Sequence, residues 1–286
     1  VVASGKALIL NLNGKELKVA NTSTGSLKVL GELTVRDSTD MNRNGTGSGR
    51  IYTTTEYTGG STGYAMLSAV DGGKVIVDSG HIDAASFTTD HAHKGQFALG
   101  VDSNKRGSSI VVNGGKIEAG WYAVSGNGNH AVHASSIVVN GGELISAADY
   151  AVYHPQLGSL EINGGVVYGQ AGGIALNRGT LLVTDGIVTS KGRGDTGSWG
   201  DGTGGLGNAA INVEAKYGET SAKIEGGKIV AEGNALTLNK NADHDASIAV
   251  SGGSFSQAVP REFCSPGYEP ADDGKGNYTV EVPEKN

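Results

Sequence analysis

Three sets of residues have the types and spacings that chemistry would need. Asp40-Met41-Asn42-Arg43-Asn44-Gly45 follows the opening of a D-x-N-x-N-G calcium loop, where short oxygen-bearing side chains at alternate positions converge on one cation. Ile51 stands where such a loop carries its bidentate Glu, so Asp40, Asn42 and Asn44 would hold Ca2+ weakly unless Asp37 or Glu56 closed the shell. A turn-rich insertion explains the same residues. Glu118 and Glu143 fall on the outward side of two short strands in neighbouring repeats. With ~4.8 Å between strands and ~6.6 Å along one, their carboxyls would sit roughly 8 Å apart, a separation that inverting glycoside hydrolysis uses. Lys116 flanks them, and surface salt pairing accounts for them as well. Asp90-His91-Ala92-His93 has metal-like spacing, but it belongs to a different corner from His130, His133 and His154, so a shared zinc site is not expected.

Two further groups suit recognition rather than catalysis. Lys105-Arg106, His130, His133, His154, Arg178, Lys216 and Lys240 all follow the third short strand of successive repeats. Stacked in register, they would form a basic stripe able to hold sulfated or sialylated glycans by charge-assisted hydrogen bonds. Asp243 and Asp245 interrupt it, and plain solubilising turns are the competing reading. Residues 191–208 are Gly-rich and too long for an ordinary turn, so they should project. Trp199 in that loop could stack on a sugar face, with Arg193, Asp195 and Asp201 as charged neighbours. Arg193-Gly194-Asp195 is an integrin-type tripeptide, a triplet that chance supplies readily in so Gly-rich a chain. Trp121 adjoins a strand without occupying an inward position and is expected to be exposed.

The elements that would position these residues come from a repeat. Val112-Asn113-Gly114-Gly115-Lys116-Ile117 recurs as Val139-Asn140-Gly141-Gly142-Glu143-Leu144 and Ile162-Asn163-Gly164-Gly165-Val166-Val167. Weaker copies begin at Val183, Ile224 and Val250, and an earlier one reads Val70-Asp71-Gly72-Gly73-Lys74-Val75. Each period holds three short β-like pieces. One ends at the Asn and one follows the Gly-Gly. The third is Tyr122-Ala123-Val124, Tyr150-Ala151-Val152, Ile174-Ala175-Leu176, Ile211-Asn212-Val213 or Leu236-Thr237-Leu238. Alternation puts the middle member of each triplet outward. Glycine supplies positive φ at the bend between the first two pieces. The Asn before it can bond its equivalent one repeat away, so Asn113, Asn140 and Asn163 read as a structural ladder.

Three strands with sharp turns every 21–27 residues is the sequence form of an all-β, right-handed parallel β-helix: a three-sheet solenoid of roughly ten coils, about 50 Å long. The expected organisation is one domain over 1–286. It has an opening coil or cap at 1–37, an insertion at 38–63, regular coils at 64–254 and a C-terminal cap at 255–286.

Composition narrows the partners. Lys plus Arg is 22 against 29 Asp plus Glu, a net charge of −7, which argues against nucleic acid and anionic membrane surfaces. No apolar run approaches the ~18 residues that span a bilayer, so direct membrane insertion is not expected. The single Cys264 cannot form an internal disulfide. With neither a starting Met nor a leader, the chain reads as a monomeric fragment of a longer protein.

Leu10-Asn11-Leu12-Asn13-Gly14-Lys15-Glu16-Leu17, the Asn-Gly-Gly repeats and the tail resemble a known family. The tail residues are Ser251-Gly252-Gly253-Ser254-Phe255, Glu262-Phe263-Cys264-Ser265-Pro266-Gly267-Tyr268 and Asp273-Gly274-Lys275-Gly276-Asn277-Tyr278-Thr279-Val280. The family is the pectin-lyase-like right-handed β-helix segments of large surface proteins from Gram-positive, often gut-dwelling, bacteria. The resemblance implies an exported, extracellular, cell-surface protein of adhesin-like character. The wider fold also includes polysaccharide lyases and glycosidases. The leading expectation is a non-catalytic bacterial surface module that presents loops to a host glycoprotein or glycan, mucin-type or acidic. A polysaccharide-active enzyme using Glu118 and Glu143, and a purely structural spacer, are the alternatives.

Overall fold

The computed structural model describes residues 1–19, 27–53, 65–84, 97–103, 105–126, 133–191 and 209–283. Among them the chain is all-β, with no α-helix and a single 3-10 turn at Arg261–Phe263. Among the described residues no helix is long and apolar enough to cross a membrane. Strands pair in parallel with their equivalents one repeat away, in three successive ladders.

The first ladder runs through Ala7–Asn11, Glu32–Arg36, Lys74–Val77, Ser109–Val112, Ser135–Val139, the opening halves of Gly158–Gly169 and Gly179–Ser190, then Thr220–Ile224 and Ala246–Val250. The second takes Glu16–Val19, Arg50–Thr53, His81–Ala84, Lys116–Ala119, Glu143–Ser146, the closing halves of the same two long strands, Lys228–Ala231 and Ser254–Phe255. The third is an eight-stranded sheet from Leu27–Val29 to Leu236–Asn239. Inward positions carry Ile110, Ile137, Leu160 and Leu181 on one ladder and Ile117, Leu144, Val167 and Val188 on the next, all buried. Stacked identical or similar apolar side chains make one continuous core.

The bend between the first two ladders behaves as the repeat requires. Asn113 Nδ2 donates to Asp78 Oδ1 at 2.8 Å, Asn140 Nδ2 to Asn113 Oδ1 at 2.9 Å, and Asn163 Nδ2 to Asn140 Oδ1 at 3.2 Å. Thr184 Oγ1 ends the file by donating to Asn163 Oδ1 at 2.8 Å. The second glycine of each pair is left-handed; at Gly142, φ is +80° and a Cβ would stand 2.6 Å from the carbonyl oxygen of Gly115. Only glycine meets both demands there.

Several expectations need correction. Three separate sheets become two hydrogen-bonded ones, because Gly158–Gly169 and Gly179–Ser190 run unbroken through the bend and join the first two ladders. Val70-Asp71-Gly72-Gly73 is not a copy of the bend. It is the turn from the third-ladder strand Ala65–Val70 into the first-ladder strand Lys74–Val77. The true equivalent is Asp78-Ser79-Gly80, disguised by an Asp in the Asn position and by one missing glycine. The proposed insertion at 38–63 contains a regular strand, Arg50–Thr53, paired on both sides. The middle residues Ala123, Ala151, Ala175, Asn212 and Thr237 are buried, not exposed. The third ladder is therefore covered on both faces, in part by Trp121, Tyr122 and Tyr153, whose rings stack at 4.9–5.1 Å. Trp121 is accordingly buried as well, and its indole N–H donates to Asp149 at 2.9 Å.

The two ends differ. Tyr278–Glu281 pairs antiparallel with Ser254–Phe255 and with Glu269–Asp272, burying Phe255, Val259 and Val280. At the opposite end Leu8 and Ile9 stay 50% and 61% exposed, so the opening strand covers its neighbour without being covered itself.

Gly142→Ala should lower stability by about 1–3 kcal/mol, since it forces a strained φ against a neighbouring carbonyl. Asn140→Ala, which cuts two links of the half-exposed amide file, should cost about 1 kcal/mol. Denaturant midpoints of the two variants measure both.

Candidate ligand-binding groove

The corner that turns the third ladder into the first is built from small residues. Gly107, Ala134, Gly158 and Gly179 occupy it in successive repeats, and at Gly179 (φ +84°) a Cβ would lie 2.5 Å from the carbonyl oxygen of Gly158. With no side chains to fill the corner, a groove is left along the stack. Two adjoining cavities of about 480 and 540 Å3 share Ala134 and Gly158 in their walls.

One side of the groove is a column of hydroxyls. Ser109, Ser136, Ser159, Thr180, Ser221 and Ser247 are register partners in consecutive first-ladder strands, each at the first outward position. Three line one cavity and three the other. The same column continues to Lys74, which closes that end by pairing with Glu32 at 3.5 Å.

The basic corner residues adjoin the lining residues in sequence and do not themselves line the cavities. Exposed Arg106 and His133 immediately precede the lining residues Gly107 and Ala134, and Lys105 stands beside them with its backbone N–H on Asp71. Half-buried Arg178 precedes Gly179 and lies across Gly218 of the next repeat. Leu157, 39% exposed, offers an apolar surface midway. At the far end stand the exposed acids Glu219 and Asp245, the latter joined to Lys240 at 2.6 Å. Lys216 lies over the ring of Tyr217. Lys105, Arg106 and His133 are thus exposed and Arg178 half-buried at this corner, but buried Gln156 and Asn177 follow Arg106 and His133 in the next two repeats, and the exposed acids stand beyond.

His154 is not part of it. It occupies an inward position in register with Leu176, is fully buried, and donates from Nδ1 to the carbonyl oxygen of Arg178 at 2.9 Å. Burial pushes the imidazole down to about 4, so it stays neutral where an exposed stripe would need a cation. His130, Arg193, Asp195, Trp199 and Asp201 lie outside the described residues.

The acids on the second ladder are already engaged. Glu118 faces Ile145 and Glu143 faces Lys116, so the two are diagonal as the spacing implies. Glu118, however, accepts from His81 Nε2 and from Lys116 Nζ, each at 2.7 Å. The hydrogen bond from His81 and the Lys116 ammonium outweigh desolvation and hold it down at about 2. A general acid for glycoside hydrolysis needs the opposite shift. Sequence reasoning missed His81 and Asp83 as neighbours of Glu118, because the misplaced bend hid the repeat that carries them. Arg50 bridges Glu16 at 3.0 Å and Asp83 at 3.2 Å, and its guanidinium sits 4.2 Å from the Tyr52 ring centroid.

The calcium reading also fails on geometry. Asp40 is buried, and its carboxylate accepts from the backbone N–H groups of Asn44, Gly45 and Gly80. Asn44 Oδ1 accepts from Thr46. Asn42 remains exposed. Asp37, the proposed completing ligand, is likewise buried and bonds the N–H groups of Gly14, Thr39 and Gly49. These two acids anchor the 37–49 turn to the stack instead of a cation.

Two groups contribute to the acid response over different windows. Below pH 6.5 the unfolded chain takes up a proton that buried His154 refuses, so its contribution falls as pH drops from 6.5 towards about 4. Glu118 stabilises fully above 4.5 and loses that contribution between about 4.5 and about 2. Urea midpoints against pH should flatten over the upper window in His154→Gln and over the lower one in Glu118→Gln. No family model, no curated protein and no solved structure matches this chain.

Proposed function

We propose that the chain winds as a right-handed parallel β-helix and serves as a non-catalytic, extracellular surface module that binds glycan along the corner groove. Short parallel connections that return each strand beside its equivalent support the winding, and parallel crossovers are right-handed in nearly all cases. One observation carries the binding reading. Six hydroxyls in unbroken register line a groove, and Lys105, Arg106, His133 and Arg178 stand within two residues of its lining residues in sequence. Hydroxyls that both donate and accept, next to cations and a patch of apolar surface, are what a sugar with an acidic substituent would engage. The resemblance to surface-protein segments favours a host glycoprotein or mucin-type glycan as its source. The enzyme reading has less behind it, because Glu118 is held ionised by His81 and Lys116.

A glycan array that includes mucin-type, sulfated and sialylated chains tests this. Binding is expected, weakening as salt rises. The exposed pair Lys105→Ser and Arg106→Ser should lower affinity about three- to tenfold at low ionic strength. A clean negative on the array, with no turnover of any glycan, would leave the structural spacer.

A further inference from the structure

We infer that Asp185-Gly186 is a self-modification site, at which the folded chain converts its own aspartate into isoaspartate through a cyclic imide. An asparagine or aspartate followed by glycine is the pair in which a main-chain nitrogen reaches the preceding Cγ most readily, because glycine has no Cβ to shield that nitrogen. Among the described residues eight such pairs occur, beginning at Asn13, Asn44, Asp71, Asn113, Asn140, Asn163, Asp185 and Asp273. By residue type the asparagines should react first, since a neutral amide admits a nucleophile more easily than an ionised carboxylate. The fold reverses that order.

In seven of the pairs a third group holds one or both of the reacting partners. Gly14 and Gly45 donate their N–H groups to Asp37 and Asp40, each at 2.8 Å, while Asn13 and Asn44 accept from the hydroxyls of Ser38 and Thr46. Gly72 donates to Ser108 Oγ at 3.0 Å, and Asp71 accepts from the N–H of Lys105. Asp273 is clasped by the N–H groups of Lys275 and Asn277 and by the Asn277 amide. Asn113, Asn140 and Asn163 have both ends of their amides fixed by the file along the bend. Asp185 differs. It is exposed, and its Oδ1 accepts from the N–H of Gly186 itself at 2.7 Å. Cγ lies one bond beyond that oxygen, so the two atoms that must join already face each other, and such proximity is what speeds an intramolecular attack.

The step consumes nothing but water and protons. The Gly186 nitrogen bonds to Asp185 Cγ and gives its proton to solvent, and a carboxyl oxygen protonated by solvent leaves as water. The five-membered imide then takes up water at either carbonyl carbon. Opening at Cγ restores aspartate, and opening at the main-chain carbonyl leaves the chain running through Cβ and Cγ as isoaspartate. The bend has no room for that extra main-chain carbon. A Cβ on Gly186 would stand 2.8 Å from the carbonyl carbon of Gly164 in the previous repeat, and one on Gly226 in the next would run into the carbonyl oxygen of Thr184. Modification therefore parts the repeat from both neighbours and loosens the long strand Gly179–Ser190.

Peptide mapping of the full chain, kept folded at neutral pH and body temperature for several weeks, tests this. Methyl transfer from labelled S-adenosylmethionine by an L-isoaspartyl methyltransferase counts the isoaspartate, and a parallel sample stands in concentrated urea. In the folded sample isoaspartate should appear first at Asp185, at least about threefold ahead of every other pair, and in urea the asparagine pairs should overtake it. The methylated fraction should unfold at a lower urea midpoint than fresh protein. In Asp185→Asn, position 185 should lose ammonia before Asn113, Asn140 or Asn163 does; should that variant fail to fold, the mapping of the parent decides alone. An asparagine pair converting first in the folded parent, the same order with and without urea, or an intact Asp185 once the urea sample has converted each overturns the inference. A modified fraction with the fresh protein's midpoint overturns the consequence drawn for the bend.

Discussion

The close approach of backbone to backbone at the bend after the first ladder is the constraint on which the rest of the molecule depends. Gly115, Gly142 and Gly165 each face the carbonyl oxygen of a glycine one repeat earlier, at a distance no Cβ could share. That contact holds equivalent residues of neighbouring repeats at the strand spacing, and everything else inherits the register. Isoleucine falls on isoleucine in the core, amide on amide at the bend, and hydroxyl on hydroxyl along the corner groove. A slip by one residue would turn every inward side chain outward, so the core and the glycines specify the same alignment twice.

How much of this could be read from the chain varies with how local the signal is. The amide file through Asn113, Asn140 and Asn163 and the left-handed glycines were legible, because a repeated dipeptide with a known backbone demand leaves little choice. The burial of Ala123, Ala151 and Ala175 was not. Alternation tells which face of a strand differs from the other, and cannot tell that Ala175 joins an aromatic cluster with Trp121, Tyr122 and Tyr150 or that Ala123 and Ala151 join the main core. The repeat around Asp78 escaped for a chemical reason. An Asp can accept the ladder hydrogen bond as well as an Asn, so the geometry tolerates a substitution that breaks the written motif.

The same distinction separates the candidate sites. Cations and acids that looked available in the sequence are available only where no partner reaches them. Glu118, Asp40 and Asp37 have spent their carboxylates on His81 and Lys116 or on backbone N–H groups, and His154 has withdrawn into the core. The corner serines were not singled out because each is unremarkable alone. Their meaning lies in being register partners, and that is a property of the stack. Fold and groove are in this sense one fact, since the operation that aligns the core also aligns the groove.

The amide file has a direction. Every donor in it points toward the earlier repeat, from Thr184 through three asparagines to Asp78. Asp78, a pure acceptor when ionised, can stand only at the head of such a queue, and an Asp placed in its middle would have no hydrogen to pass on. The repeats therefore obey a syntax. They may look interchangeable by eye, yet shuffling their order would set acceptor against acceptor, and the protein can be lengthened in the interior only by units that both give and receive.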